Sequence, residues 1–155
     1  MAPHIHPDID YTAEVFIVHA NKVLLRFHDK YKFWLSVGGH IELNEDPNQA
    51  AVREVKEEVG LDVVLWDGDQ KLKHQRDEYR ELVPPFALNR HRISEAHEHV
   101  SMIYFATSDT DAVTPGSQDK SDEWKWVAKE ELARMDLRTD IRFYAETALD
   151  TLGKN

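Results

Sequence analysis

At 155 residues the chain is long enough for one sizeable core and too short for two, so residues 1–155 are read as a single domain. Its 19 basic and 29 acidic residues leave a formal net charge of -10, which repels a nucleic-acid polymer but leaves room for an anionic small molecule bridged by a cation. With no cysteine, disulfides, thiolate zinc sites and a cysteine nucleophile are excluded.

The opening segment, "MAPHIHPDID", has neither the basic nor the apolar region of a signal peptide, and the longest apolar run, Val15 to Val18, is far short of a membrane span. A cytoplasmic location is therefore expected. "AEVFIVHANKVLLRFH" predicts two strands around a turn at Asn21. "KFWLSVGG" predicts a third short strand closing on Gly38 and Gly39, where paired glycines permit a positive φ.

The strongest helix signals follow. Asp46 suits the N-cap, Pro47 the first helical position and Gln49 the reciprocal half of a capping box, while Gly60 stands where a C-terminal cap is needed. Ala51, Val52, Val55 and Val59 form an apolar stripe that predicts packing on a core.

Beyond Gly60, "LDVVLW" reads as a strand, and the long polar stretch from Asp67 to His99 carries only a weak strand signal near Tyr79 to Leu82. "VSMIYFAT" is a strand, Ser108 to Asp122 a loop around Pro115 and Gly116, and "EWKWV" another short strand. "AKEELARM" predicts a short helix, and Ile141, Tyr144, Ala145, Ala148 and Leu152 an amphipathic C-terminal one. Strands and helices interleaved in this order predict an α/β (α+β) fold, one sheet with helices on both faces.

The predicted helix places Glu54, Glu57 and Glu58 within an arc of roughly 100°. Each like-charged neighbour costs on the order of 0.2–0.5 kcal/mol in an isolated helix, which Arg53 and Lys56 relieve only in part. A hard divalent cation compensates such crowding, since Mg²⁺ takes oxygen ligands and is held by a few carboxylates together with substrate phosphates. A solvated acidic face is the alternative for E-x-x-E-E taken alone.

The surroundings decide between the two. Gly39, Glu45, the run Arg53-Glu54-Val55, the pair Glu57-Glu58 and the pair Gly60-Leu61 fall at the spacings of the complete Nudix box. Chance agreement at a given start is roughly 10⁻⁹ from ordinary residue usage. The chain thus resembles the Nudix (MutT-like) hydrolases, by the exact motif from Gly39 to Leu61 and by the looser strand and helix order over most of its length.

The resemblance implies an α/β/α sandwich with a central mixed sheet. It also implies hydrolysis of the diphosphate linkage in a nucleoside diphosphate joined to another moiety, with Mg²⁺ or Mn²⁺ assisting attack of water on phosphorus. Glu57 and Glu58 would be the main metal ligands, Glu54 a further ligand or the base, and the Gly38 carbonyl an additional ligand. Gly39, Glu45, Arg53 and Gly60 would have structural roles.

Relatives place the base on the helix or on a later loop, and Glu123, backed by Asp119 and Asp122, is the loop candidate here. Many relatives carry proline before the paired glycines, whereas this chain has Val37, which alters loop stiffness without removing the ligand carbonyl.

For the substrate, Arg26, Arg90 and Arg92 are candidate phosphate contacts, and Phe33, Trp34, Tyr79 and Trp124 candidate stacking partners for a base. His91, His97 and His99 cluster before a strand, and His97 and His99 share a face if that strand begins early. They read as polar groups at the rim of a pocket. A zinc site is the alternative, weakened by the lack of a nearby carboxylate.

The implied partner is a small nucleotide, with neither nucleic-acid polymer nor membrane, and a homodimer is compatible with the sequence. Two other readings compete: a Nudix-fold nucleotide sensor without turnover, and a calcium- or zinc-binding structural protein.

Overall fold

The computed structural model describes residues 8–69, 74–116 and 123–153. β1 (Ile9–His19) and β2 (Lys22–His28) form the predicted hairpin. Its turn is made by Ala20 and Asn21, both at positive φ (46° and 64°), as a tight two-residue connection between twisted strands requires.

The predicted third strand is instead two. β3 (Phe33–Leu35) pairs with β2, whereas β4 (Val37–His40) pairs with β1. The chain changes partner at Ser36 because β1 and β2 diverge, pairing directly only at Val18 with Val23 and His19 with Lys22. Val37 lies opposite Val15 and is fully buried, so the residue that stands where proline is frequent fills core space.

α1 (Pro47–Val59) has the predicted ends: Asp46 accepts from the Gln49 backbone, Gln49 accepts from the Asp46 backbone, and Gly60 closes the helix at φ 71° with its N–H on Lys56 O. The buried stripe is Ala50, Ala51, Val55 and Val59, which corrects the expectation for Val52, 41% exposed. After β5 (Val63–Leu65), the weak signal near Tyr79 resolves into a small hairpin, β6 (Gln75–Arg76) with β7 (Tyr79–Arg80).

The polar stretch also holds an unpredicted strand, β8 (Ala87–Ser94), antiparallel to β9 (His97–Ser108). Its residues alternate between half-buried and exposed, and most are polar, so it lacks the apolar run by which strands are recognised. The early start of β9 meets the condition placed on His97 and His99. β10 (Glu123–Ala128), α2 (Lys129–Leu132) and α3 (Thr139–Leu152) complete the described chain.

The sheet order is β10-β2-β1-β9-β5, with β3, β4 and β8 attached to β2, β1 and β9. It is mixed, because β1 and β9 run parallel while the other pairs are antiparallel. Ala13, Val15, Ile17 and Leu24 pack on one face with α1; Phe16, Val18, Leu25 and Phe105 pack on the other with Ile141, Ala145 and Ala148 of α3. This is the expected three-layer sandwich. No helix among the described residues is long and apolar enough to cross a membrane.

Candidate active site

The divergence of β1 from β2 opens a cleft of about 1110 Å³, lined among others by Glu14, Arg26, Gly38, Gly39, Glu54, Glu57 and Glu58. Capping and the apolar stripe fix the rotation of α1, and that rotation sets the three glutamates along one wall. Arg53 holds the wall to the loop before it: its Nε and Nη2 donate to the two Glu45 oxygens at 2.9 and 2.7 Å, and Nη2 also donates to His40 O at 3.0 Å. Its Nη1 donates to Glu54 at 3.0 Å and Glu57 at 3.1 Å. Glu45 further accepts from the Glu42 N–H at 3.0 Å, and with Arg53 this holds its carboxyl below the usual carboxylate range.

The three glutamates are not equivalent. Glu57 is 61% exposed, whereas Glu58 is 12% exposed and meets the Arg26 guanidinium at 3.2 Å. Burial pushes the Glu54 carboxyl up against the pull of Arg53, and the nearby Glu57 and Glu45 charges add to the rise. Crowded hard oxygens, one of them reluctant to ionise, make a donor set suited to Mg²⁺ or Mn²⁺.

The paired glycines serve close approach, and neither uses the positive φ that glycine permits. A Cβ at Gly39 would lie 2.4 Å from Glu54 Oε1, and one at Gly38 2.2 Å from Ala13 O and 2.6 Å from Glu14 Oε2. The far end of α1 is tied as well, with Thr114 N–H on Val59 O at 2.8 Å and Gly116 N–H on Glu58 O at 2.9 Å. The loop after β9 therefore braces the helix through backbone bonds.

Glu14 was not anticipated. It projects from β1 beside Gly38, accepts from Ser36 Oγ at 3.0 Å, and burial raises its carboxyl to about 7 in spite of the Arg26 charge. Asp10, Thr12 and Glu14 alternate along β1, and Thr12 Oγ1 meets Ser101 Oγ at 2.7 Å. The signal was present in "IDYTAEVF": polar residues at every second position of a strand that is otherwise core mark a face turned to a site.

Other predicted residues are divided. Arg26, Phe33, Trp124, His91, Arg92 and His99 line the cleft, with the Arg26 guanidinium 5.8 Å from the Trp124 ring centre. His97 lies beside His99, ring centres 5.1 Å apart. Trp34 packs on Phe27 at 5.3 Å, and Tyr79, exposed on its hairpin, stacks with Arg76 at 4.5 Å; neither lines the cleft. Arg90 is exposed and paired with Glu98 at 2.8 Å.

Glu123 begins β10 opposite Phe27 and is exposed, and it too is not among the cleft-lining residues. Asp119 and Asp122 lie outside the described residues.

The NUDIX domain model matches residues 10–147, and the chain belongs to that family. A crystal structure of a NUDIX-family hydrolase from Clostridium perfringens superposes with a TM-score of 0.80 at 34% identity, covering 92% of this chain and 97% of that one. Among curated proteins, the chain is similar to the CTP pyrophosphohydrolase of Escherichia coli, 31% identical over 49% of this chain and 57% of that protein. It is also similar to the dihydroneopterin triphosphate diphosphatase of the same species, 52% identical over 27% of this chain and 28% of that protein. The matched segments thus span just over half of the first curated relative and less than a third of the second.

Proposed function

We propose that this protein is a Mg²⁺- or Mn²⁺-dependent pyrophosphohydrolase that cleaves the diphosphate linkage of a nucleoside triphosphate or related nucleotide derivative. The observation that carries this reading is the convergence of Glu54, Glu57 and Glu58 with Gly38, Gly39 and Arg26 on one cleft. Triphosphates are favoured within the class because the curated relatives bear the names of a CTP and a dihydroneopterin triphosphate hydrolase.

In this account Glu57 and Glu58 hold the cation, with the Gly38 carbonyl as a further oxygen ligand. When bound, the cation withdraws charge from the phosphates and acidifies water. Arg26 keeps Glu58 turned to the cleft wall, and Arg53 sets the spacing of Glu54 and Glu57 from Glu45. Glu54 is the group placed to accept the proton of the attacking water, since burial already favours its protonated form. Glu123 is a poorer choice because it is exposed and not part of the cleft lining.

Product analysis tests the proposal on a panel of nucleoside triphosphates, ADP-ribose, nucleotide sugars and dinucleoside polyphosphates, with Mg²⁺ and then Mn²⁺. Release of pyrophosphate and a nucleoside monophosphate from a triphosphate supports it. Tight nucleotide binding without cleavage across the panel would favour a sensor.

A further inference from the structure

The histidines beside the cleft converge on a carboxylate that comes from far upstream in the sequence. Parallel pairing of β1 with β9 puts Asp10 directly beside His99, and antiparallel pairing of β8 with β9 puts His91 on the other side of His99. His97 and His99 alternate along β9, and their rings, like those of His40 and His99, have centres 5.1 Å apart. The Asp10, His97 and His99 ligand atoms all lie within 4.8 Å of one another.

Asp10 is 1% exposed, and a carboxylate so far from water requires cationic or hydrogen-bonded compensation. Its Oδ1 accepts from the Tyr11 N–H at 3.0 Å, and its Oδ2 lies 3.2 Å from His40 Nε2. His40 is itself anchored, because its carbonyl accepts from Arg53 at 3.0 Å.

We propose that Asp10, His97 and His99 form a second metal site, selective for a borderline cation of the Zn²⁺ class and distinct from the glutamate site on α1. The donor chemistry separates the two. Two imidazoles and one carboxylate, with a coordination position left open, form a set that Zn²⁺ accepts and Mg²⁺ does not favour, whereas the all-oxygen glutamate set has the opposite preference.

Ligand atoms around tetrahedral Zn²⁺ stand about 3.3 Å apart, given bonds of about 2.0–2.1 Å. Binding therefore draws the three ligand atoms, now within 4.8 Å of one another, closer together. His40 then serves as the outer partner that orients Asp10. A cation held there ties the start of β1 to the start of β9 along the cleft wall that His40 and His99 share with the glutamates.

Chelator-treated full-length protein, titrated with Zn²⁺ in excess Mg²⁺ and separately with Co²⁺ as an optical probe, tests the site. One equivalent of Zn²⁺ is expected to bind and to raise the unfolding temperature, and Co²⁺ to give the visible absorption of a low-coordinate nitrogen and oxygen site. His97→Gln and His99→Gln should each weaken binding by at least about 10–100-fold, the loss that follows even from removing an outer-shell partner. Glu58→Gln should leave it unchanged.

Because Asp10→Asn at so buried a position could fail to fold, the half-exposed His97 is the primary variant. The proposal is overturned if Zn²⁺ does not bind in excess Mg²⁺, if both histidine variants bind as the parent does, or if Glu58→Gln alone abolishes binding. Failure of the hydrolase reading would not alter these outcomes, since none uses turnover.

Discussion

Replacing Glu14 by glutamine should stabilise the metal-free protein at alkaline pH and do little at acid pH. Burial holds the Glu14 carboxyl at about 7 instead of 4.5. A group whose folded-state pKa is raised contributes stability that is fully present below its unfolded value and is lost as pH rises through the folded one. At about 1.4 kcal/mol per unit, ionising Glu14 costs about 3 kcal/mol of stability once pH exceeds the folded value. Water in the open cleft screens part of this, so about 2 kcal/mol is expected.

Glutamine retains an oxygen for the Ser36 hydroxyl, which donates at 3.0 Å, and has no charge to desolvate. Urea unfolding of both proteins in EDTA at pH 5 and pH 8.5 measures the effect. The variant should match the parent at pH 5 and exceed it by about 2 kcal/mol at pH 8.5. Equal stability at both values, or a variant weaker at pH 8.5, would refute the assignment of a desolvated carboxyl at this position.

Arg53→Ala should destabilise the fold by about 2 kcal/mol, less than a fully buried ion pair because the guanidinium is partly exposed; denaturant midpoints check this. Because Arg53 lowers the Glu45 carboxyl, the pair stabilises above the unfolded carboxylate value and fades as pH falls through the folded one. The parent should therefore lose more stability than the variant between pH 5 and pH 3. Gly39→Ala would force its methyl group against Glu54, 2.4 Å away in the present geometry. Turnover should fall by about tenfold or more as Glu54 is displaced, measured by steady-state kinetics, with far-ultraviolet circular dichroism unchanged. Asp46→Ala removes the N-cap of α1 and should cost about 1 kcal/mol in thermal unfolding.

The parts of the fold that were legible in the sequence depend on neighbours in the chain. The α1 helix was readable end to end because its cap, capping box, first-position proline and terminal glycine act over three or four residues. Val52 was misplaced because an apolar stripe specifies a face but not its width. β8 escaped because most of its residues are polar, its apolar Leu88 and Ile93 are exposed, and its inward Asn89 and His91 line the cleft instead of the core.

The acidic wall of the site was equally local, given by three glutamates on one helix. Its other components were not. Glu14 becomes a cleft residue because β4 crosses beside it, and Asp10 meets His99 only through parallel pairing of segments far apart in the chain. Trp34 and Tyr79 failed as cleft residues for the converse reason: an aromatic side chain has no sequence mark that separates stacking on a ligand from packing on Phe27 or Arg76.

The most direct test of the account is turnover of a nucleoside triphosphate by the parent and by Glu58→Gln across a Mg²⁺ titration, with thermal unfolding followed in parallel. The account predicts Mg²⁺-dependent cleavage that falls by orders of magnitude in the variant while the protein still unfolds in one cooperative transition, since glutamine keeps an oxygen for the Arg26 guanidinium that Glu58 meets at 3.2 Å. Near-parental turnover in a folded Glu58→Gln protein would contradict it.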